Sequence, residues 1–225
     1  MNYARKVFAI VWKDIVAELR TKEMFSAMFV FAVLTVVIFN FAFDLRVSGE
    51  RVRQVAPGAL WVAFAFSGVL GLNRAFVLER DRGCLEGLLL APVDHTAIYF
   101  GKMLSTLIFM LAVETFMLPV FTAFFGVSLF DGRLVLVALL GTLGFAGVGT
   151  VLSAMTAQTR AREVLLPILL LPVAAPVLIA AVKATAGILD GLPIDELRLW
   201  LTLLVGFDVL FPAVAFMTFD YVVKE

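Results

Sequence analysis

The sequence contains six apolar segments, each long enough to cross a lipid bilayer as a helix. They run over residues 24–43, 55–72, 97–125, 134–156, 164–182 and 199–219. A helix of about 20 apolar residues matches the hydrocarbon thickness of a membrane, where backbone polar groups must pair within the helix. An apolar fraction of 62% and a mean hydropathy of +1.03 leave little chain for a soluble domain. We therefore predict an all-α polytopic membrane protein in which residues 1–225 form one transmembrane domain.

The first 23 residues predict an amphipathic helix that lies in the membrane surface. Acidic residues at 14, 18 and 23 interrupt any hydrophobic core, so this stretch is not expected to be a signal peptide. Basic residues occupy the polar side of the helical wheel. The apolar side at helical spacing consists of Phe8, Val11, Trp12, Ile15 and Leu19.

A charged segment, residues 78–95, separates the second and third apolar segments. A short helix from about residue 83 to residue 90, stopped by Pro92, would place three leucines on one face. Either this helix lies on the lipid headgroups, or its apolar face docks a soluble partner. The candidate docking residues are Glu79, Arg80, Asp81, Arg82, Leu85, Glu86, Leu88, Leu89 and Pro92.

Basic residues near the segment ends predict the orientation in the membrane. With the N-terminus inside, twelve Lys and Arg residues fall in cytoplasmic segments and six fall outside. Basic residues favour the cytoplasmic side. Both termini and the segment 78–95 are therefore expected in the cytoplasm, where a soluble partner reaches them. The six outside are Arg46, Arg51, Arg53, Arg133, Lys183 and Arg198.

Small residues in the fourth segment predict a helix interface. Thr142, Ala146 and Thr150 recur at a spacing of four, and small side chains allow close approach of transmembrane helices. The partner helix belongs either to this chain, which is the commoner case, or to another chain.

Three prolines in the fifth segment, Pro167, Pro172 and Pro176, remove backbone donors and are expected to bend that helix. The bend serves either shape alone or a movement during a transport cycle.

Two acidic residues fall inside apolar segments, Glu114 in the third and Asp208 in the sixth. A charge at the centre of a membrane helix costs about 2.5 to 3.5 kcal/mol. These carboxyls are either protonated or hydrogen-bonded within the bundle, or they belong to a polar path. No basic residue is expected at the same depth, and a proton relay would need more such groups, which disfavours a proton-coupled transporter.

Several kinds of chemistry lack their sequence motifs. The chain has no GxxxxGK[ST] loop for ATP hydrolysis, no HExxH zinc motif and no CxxCH haem attachment site. Zero formal net charge gives no case for nucleic-acid binding. We predict a non-catalytic membrane subunit that binds no metal or cofactor itself. The three tryptophans, Trp12, Trp61 and Trp200, are expected in aromatic belts near the membrane interfaces.

Taken together, these patterns resemble the permease subunit of ABC-2-type exporters, and within them the haem exporter protein B family of cytochrome c maturation (CcmB). The resemblance covers nearly the whole chain. Its more specific parts are the Ala-Pro-Gly-x-x-Trp pattern and the spaced prolines of the fifth segment. The matching stretches are 56–58 with 61–63, Leu85-Glu86 with Leu88 and 90–92, 143–145, and 165–167 followed by Leu171, Pro172 and Pro176.

The resemblance implies a multi-pass protein of the bacterial inner membrane that docks a separate cytoplasmic ATPase, where ATP binds. It also implies a haem-handling membrane subunit, a small accessory membrane protein and a periplasmic haem chaperone as partners. Haem is a possible cargo of the complex, and no haem site is expected in this chain. The alternatives are an ABC-2 permease for a lipid, glycan or drug, and a secondary transporter, for which internal repeats would be expected.

Overall fold

The computed structural model describes residues 3–43, 49–81, 94–126, 131–157, 159 and 161–224, with only the backbone described at 49–51, 76–81 and 220–224. Within these residues the chain forms seven helices and no strand. The helices are α1 (Tyr3–Thr21), α2 (Glu23–Ala42), α3 (Gly49–Asp81), α4 (His95–Phe125), α5 (Gly132–Thr156), α6 (Arg162–Leu189) and α7 (Arg198–Lys224).

Six of these helices, α2 to α7, are long and apolar enough to cross a membrane, which confirms the predicted all-α polytopic fold. The helices extend beyond the apolar segments of the sequence. The 33 residues of α3 make a helix of about 50 Å, and α6 continues to Leu189, seven residues past the predicted end. Hydrogen bonding along a helix does not stop where the apolar run stops, so hydropathy places the spans better than their ends.

Helix α1 has two apolar sides with different surroundings. Ile10 and Val11 are buried, whereas Phe8, Trp12 and Leu19 remain exposed. Phe8 and Trp12 stack with their ring centroids 6.4 Å apart. An exposed aromatic and aliphatic side on an amphipathic helix is the surface that an interfacial helix presents to lipid. We call the end of the bundle that carries this helix the α1 side.

A tight turn joins α1 to α2. Lys22 adopts a left-handed backbone conformation with φ of 56°, and its amide donates to the Glu18 carbonyl at 2.7 Å. The Glu18 carboxylate accepts from the Phe25 amide at 2.8 Å, which satisfies one of the unpaired amides at the start of α2. The turn therefore fixes the angle at which the surface helix meets the first membrane helix.

Helices α3 and α5 form the centre of the bundle, and polar side chains tie the other helices to them. The Ser67 hydroxyl on α3 donates to the Met28 carbonyl on α2 at 3.0 Å, and the Tyr99 hydroxyl on α4 donates to the Gly147 carbonyl on α5 at 3.1 Å. Helix α7 lies at the edge and buries the smallest share of its residues among the six spans. Bonds of this kind supply part of the helix association that hydrophobic burial does not provide in lipid.

Trp61 does not face lipid as a residue of an aromatic belt would. Its side chain is 3% exposed inside the bundle, and its indole N–H donates to the Thr185 hydroxyl on α6 at 3.0 Å. Gly141 on α5 lies against the indole ring so closely that an added Cβ would overlap it. A buried tryptophan needs a partner for its N–H, and here Thr185 supplies that partner between α3 and α6.

Candidate functional site

The predicted docking segment lies between the ends of α3 and α4. Helix α3 continues through Glu79, Arg80 and Asp81, of which the backbone alone is described. The side chains of those three residues, and the whole of Arg82, Leu85, Glu86, Leu88, Leu89 and Pro92, fall outside the described residues. The docking prediction therefore stays a prediction, and the described structure shows what holds the two helix ends that flank it.

A buried lysine near the start of α4 connects α4 to α1 and to α3. Lys102 on α4 is 2% exposed, and its ammonium lies 3.0 Å from the Asp14 carboxylate on α1. The same ammonium donates to the Ala75 carbonyl on α3 at 2.9 Å. Lys102 thus joins α4 to the surface helix α1 and to α3. Helices α3 and α4 are the two that flank the segment 82–93. We call Asp14, Ala75 and Lys102 the three-helix clamp.

Further contacts align α1 with the first turns of α4. The Tyr3 hydroxyl donates to the Thr96 hydroxyl at 3.3 Å, and the Lys6 ammonium lies 3.9 Å from the Asp94 carboxylate. Ile10 packs on Gly101, where an added Cβ would come within 2.7 Å of the Ile10 side chain. Helix α1 is therefore fixed along the beginning of α4 by packing as well as by charge.

Sequence reasoning did not identify the clamp. Lys102 was expected only as one more basic residue on the cytoplasmic side, and Asp14 only as an interruption of a possible signal peptide. Their separation of 88 residues gives no local pattern that would pair them. A weak signal existed, because Lys102 follows an apolar stretch where an unpaired ammonium would be costly.

Glu114 lies in the membrane-spanning part of α4 and is 4% exposed. One carboxyl oxygen accepts from the Thr142 hydroxyl on α5 at 2.5 Å, while the other is buried without a hydrogen-bond partner in the described residues. Glu114 also lines a cavity of about 80 Å³, together with Trp61 and Thr185. The carboxyl thus joins α4 to α5 and leaves one oxygen unsatisfied.

Asp208 on α7 lies on another side of α5. Both of its carboxyl oxygens are buried without a partner among the described residues. A Cβ added at Gly144 would lie 2.9 Å from one of these oxygens, so the absence of a side chain at 144 makes room for Asp208. The structure does not bring Glu114 and Asp208 into one site, because they approach α5 at Thr142 and Gly144, about 200° apart around a regular helix.

The small residues of α5 face helices of the same chain. Thr142 bonds Glu114 on α4, and Ala146 is fully buried in a cluster with Tyr99 on α4 and Phe219 on α7. Thr150 donates to the Ala146 carbonyl at 2.7 Å. The structure thus places Thr142 and Ala146 at contacts within the chain and Thr150 against its own helix.

The three prolines of α6 do not share one environment. Pro167 is half-buried, whereas Pro172 and Pro176 lie four residues apart on the outward face of the helix. Each of these prolines removes the amide that would bond the carbonyl four residues earlier. Two such carbonyls, at Ile168 and Pro172, therefore lie on the side of α6 that faces away from the bundle.

The end of the bundle opposite the α1 side has its own polar contact. Asp131 accepts from the Arg133 backbone amide at 2.8 Å and from the Arg133 guanidinium at 2.8 Å. These hydrogen bonds hold the pKa of the Asp131 carboxyl below its usual value. Arg133 also donates to the Leu192 carbonyl at 3.2 Å, which ties the start of α5 to the connection between α6 and α7.

The described residues include no group of three or more His, Cys, Asp or Glu side chains that could hold a metal ion. Most of the polar contacts described above join two or three helices. Their chemistry is that of holding and aligning helices.

The family model for CcmB protein matches residues 5–223 of this chain. Three similar relatives are each named heme exporter protein B. The one from Pseudomonas aeruginosa is 29% identical over 188 residues, which cover 83% of both chains. The one from Rhodobacter capsulatus is 28% identical over 83% of this chain and 85% of its own, and the one from Escherichia coli K12 is 30% identical over 71% and 73%. The match of the family model over almost the whole length shows that this chain belongs to the CcmB family.

Proposed function

We propose that this chain is the membrane-spanning subunit of an ABC-type complex for haem export in cytochrome c maturation. Family membership supports the cargo class, because the relatives carry the name heme exporter protein B. The chain lacks a P-loop, so the proposal assigns ATP hydrolysis to a separate cytoplasmic subunit. A haem-handling membrane subunit, a small accessory membrane protein and a periplasmic chaperone complete the proposed complex, which resides in the bacterial inner membrane.

The three-helix clamp is the observation that supports a coupling role. The segment 78–95 is the proposed docking element for the ATPase, and the clamp joins α1 to α3 and α4, the two helices that flank residues 82–93 in the sequence. A push on the element from a soluble partner would reach three helices at once, because charge and packing fix them to each other. The excess of basic residues supports a cytoplasmic location for this side of the bundle.

In the proposed cycle, ATP hydrolysis by the docked subunit moves the clamped helix ends, and this movement drives release of the haem-loaded chaperone on the other side. We assign haem presentation to another membrane subunit. The carboxyls of Glu114 and Asp208 are assigned to helix packing, because the structure brings no chain of titratable groups to either one among the described residues.

The docking assignment is tested by replacing Leu85 and Leu89 together with Asp. This change removes the proposed apolar face without touching a membrane span. The variant should insert at normal abundance but lose the ATPase on purification in mild detergent, and cytochrome c maturation should fall. The matched control replaces the same two leucines with Met, which keeps the face apolar and should preserve both. Normal ATPase binding and maturation by the Asp variant would refute the assignment.

A further inference from the structure

A cavity of about 80 Å³ lies between helices α3, α4, α5 and α6. Its walls are apolar except at Trp61, Glu114, Thr115 and Thr185. Thr115 is exposed, and its hydroxyl donates to the Leu111 carbonyl at 2.7 Å. Glu114 and Thr185 are buried, with 4% and 2% of their surface exposed. The carboxyl on α4 and the hydroxyl on α6 are therefore the buried groups that decide what this cavity can bind.

Both buried groups have unused hydrogen-bonding capacity. Glu114 accepts from the Thr142 hydroxyl with one carboxyl oxygen, and the other oxygen has no partner among the described residues. Within the same residues, the hydrogen bond of the Thr185 hydroxyl is the one that it accepts from the Trp61 indole. A hydroxyl also carries one O–H donor, so the Thr185 donor is left over. A buried polar atom without a partner lowers stability.

Water fits this cavity in both size and chemistry. One water takes up about 30 Å³ in the liquid, so about 80 Å³ has room for two waters. Water accepts from the Thr185 O–H and also matches the second Glu114 oxygen, because it donates to a carboxylate and accepts from a protonated carboxyl. An apolar chain would fill the same space but leave both groups without partners. A metal cation has no lone pair to accept from the Thr185 O–H.

We propose that ordered water occupies this cavity and bridges the second carboxyl oxygen of Glu114 to the Thr185 hydroxyl. The bridge completes a chain of hydrogen bonds that begins at the Trp61 indole and ends at the Thr142 hydroxyl. Helices α4 and α6 each pack on α3 and α5, and the water joins α4 and α6 to each other. Buried water held by several protein groups is a lasting part of a structure.

Filling the cavity tests for water through the sign of the effect on stability. Ala138 on α5 lines the cavity, and Ala138→Val adds two methyl groups there. In a dry apolar cavity these groups would gain contacts and raise the melting temperature. If they displace bridging water, two buried groups lose their partners. The melting temperature of the full chain in mild detergent should then fall by about 3 °C. A rise or no change would overturn the proposal.

Two backgrounds separate loss of water from crowding. Glu114→Met keeps the length of the side chain but removes the carboxyl, so the cavity no longer holds water between two polar groups. In this background Ala138→Val should leave the melting temperature unchanged or raise it. Glu114→Gln keeps two polar atoms, and in this matched control Ala138→Val should again lower the melting temperature. An equal fall in all three backgrounds would show crowding alone and overturn the proposal.

The water can also be observed directly. A structure of the full chain at a resolution that shows ordered water should place density about 2.5 to 3.0 Å from the second Glu114 oxygen and from the Thr185 hydroxyl oxygen. Resolved water elsewhere in the bundle with none at these two atoms would overturn the proposal.

Discussion

Removing one partner of the three-helix clamp should cost far more stability than removing one partner of a surface pair with the same geometry. The Asp14 and Lys102 side chains are 14% and 3% exposed, with their charged atoms 3.0 Å apart. The Glu23 and Arg74 side chains, also 3.0 Å apart on the α1 side, are 64% and 48% exposed. The two pairs therefore differ mainly in burial, which makes the exposed pair a matched control.

Asp14→Ala leaves a buried ammonium without its carboxylate, and we expect it to lower the free energy of unfolding by about 3 kcal/mol, the low end for a broken buried pair. Lys13 contacts the same carboxylate, so Lys102→Met leaves Asp14 a second cation and should cost less. Glu23→Ala should cost at most about 1 kcal/mol because its pair is solvated. Unfolding is followed in mild detergent by heat or by added denaturing detergent.

The double variant Asp14→Ala with Lys102→Met separates stability from coupling. With both charges gone no buried charge lacks its partner, so stability should recover to within about 1 kcal/mol of the parent chain, since buried pairs are often replaced without loss. The ion pair between α1 and α4 and the hydrogen bond from Lys102 to α3 would still be missing, and cytochrome c maturation should stay low at normal abundance. Simple addition of the two single effects on stability would contradict the buried ion pair, and full maturation with the double variant would contradict a coupling role for the clamp.

Three further predictions concern topology and the membrane interior. Cys introduced at Ser48 should react with an impermeant thiol reagent added to intact cells. Native Cys84 should react only after the membrane is opened, and labelling of Cys84 in intact cells would contradict the proposed orientation. Pro172→Ala with Pro176→Ala restores two backbone donors, so detergent stability should hold or rise while maturation falls; full maturation would limit these prolines to shape. Glu114→Gln keeps an acceptor for the Thr142 hydroxyl and should have the melting temperature of the parent chain. Glu114→Ala enlarges the adjoining cavity and should have a lower melting temperature. Equal melting temperatures of the two variants would contradict the contact between Glu114 and Thr142.

The spans were predictable from sequence because each requirement is local. About 20 apolar residues suffice to mark a membrane helix, and the spacing of Phe8, Trp12 and Leu19 marks the surface helix without any tertiary contact. The line of small residues on α5 also indicated an interface, since close packing depends on residue size. The spacing of these small residues does not identify the helix that packs against them. In the structure Thr142 bonds Glu114 on α4.

The clamp and the tryptophan contact depend on tertiary pairing, which no local pattern specifies. The distribution of basic residues identifies Lys102 only as one more cytoplasmic charge. Its ion-pair partner in the structure is Asp14, 88 residues earlier in the chain. Trp61 fits an interfacial belt by residue type, but Thr185 on α6 gives its N–H a buried partner. The docking residues from Arg82 to Pro92 fall outside the described residues, so their role still rests on the leucine spacing and the family resemblance.

A reconstituted complex tests most directly the proposed coupling of a separate ATPase to haem delivery through this chain. The chain, its ATPase and the haem-handling subunit are placed in vesicles with haem-loaded chaperone, and chaperone release is measured as ATP is added. We predict ATP-dependent release with the parent chain, and ATP hydrolysis without release with the Asp14→Ala, Lys102→Met double variant. Equal release with the parent chain, with the double variant and with no copy of this chain present would contradict the account.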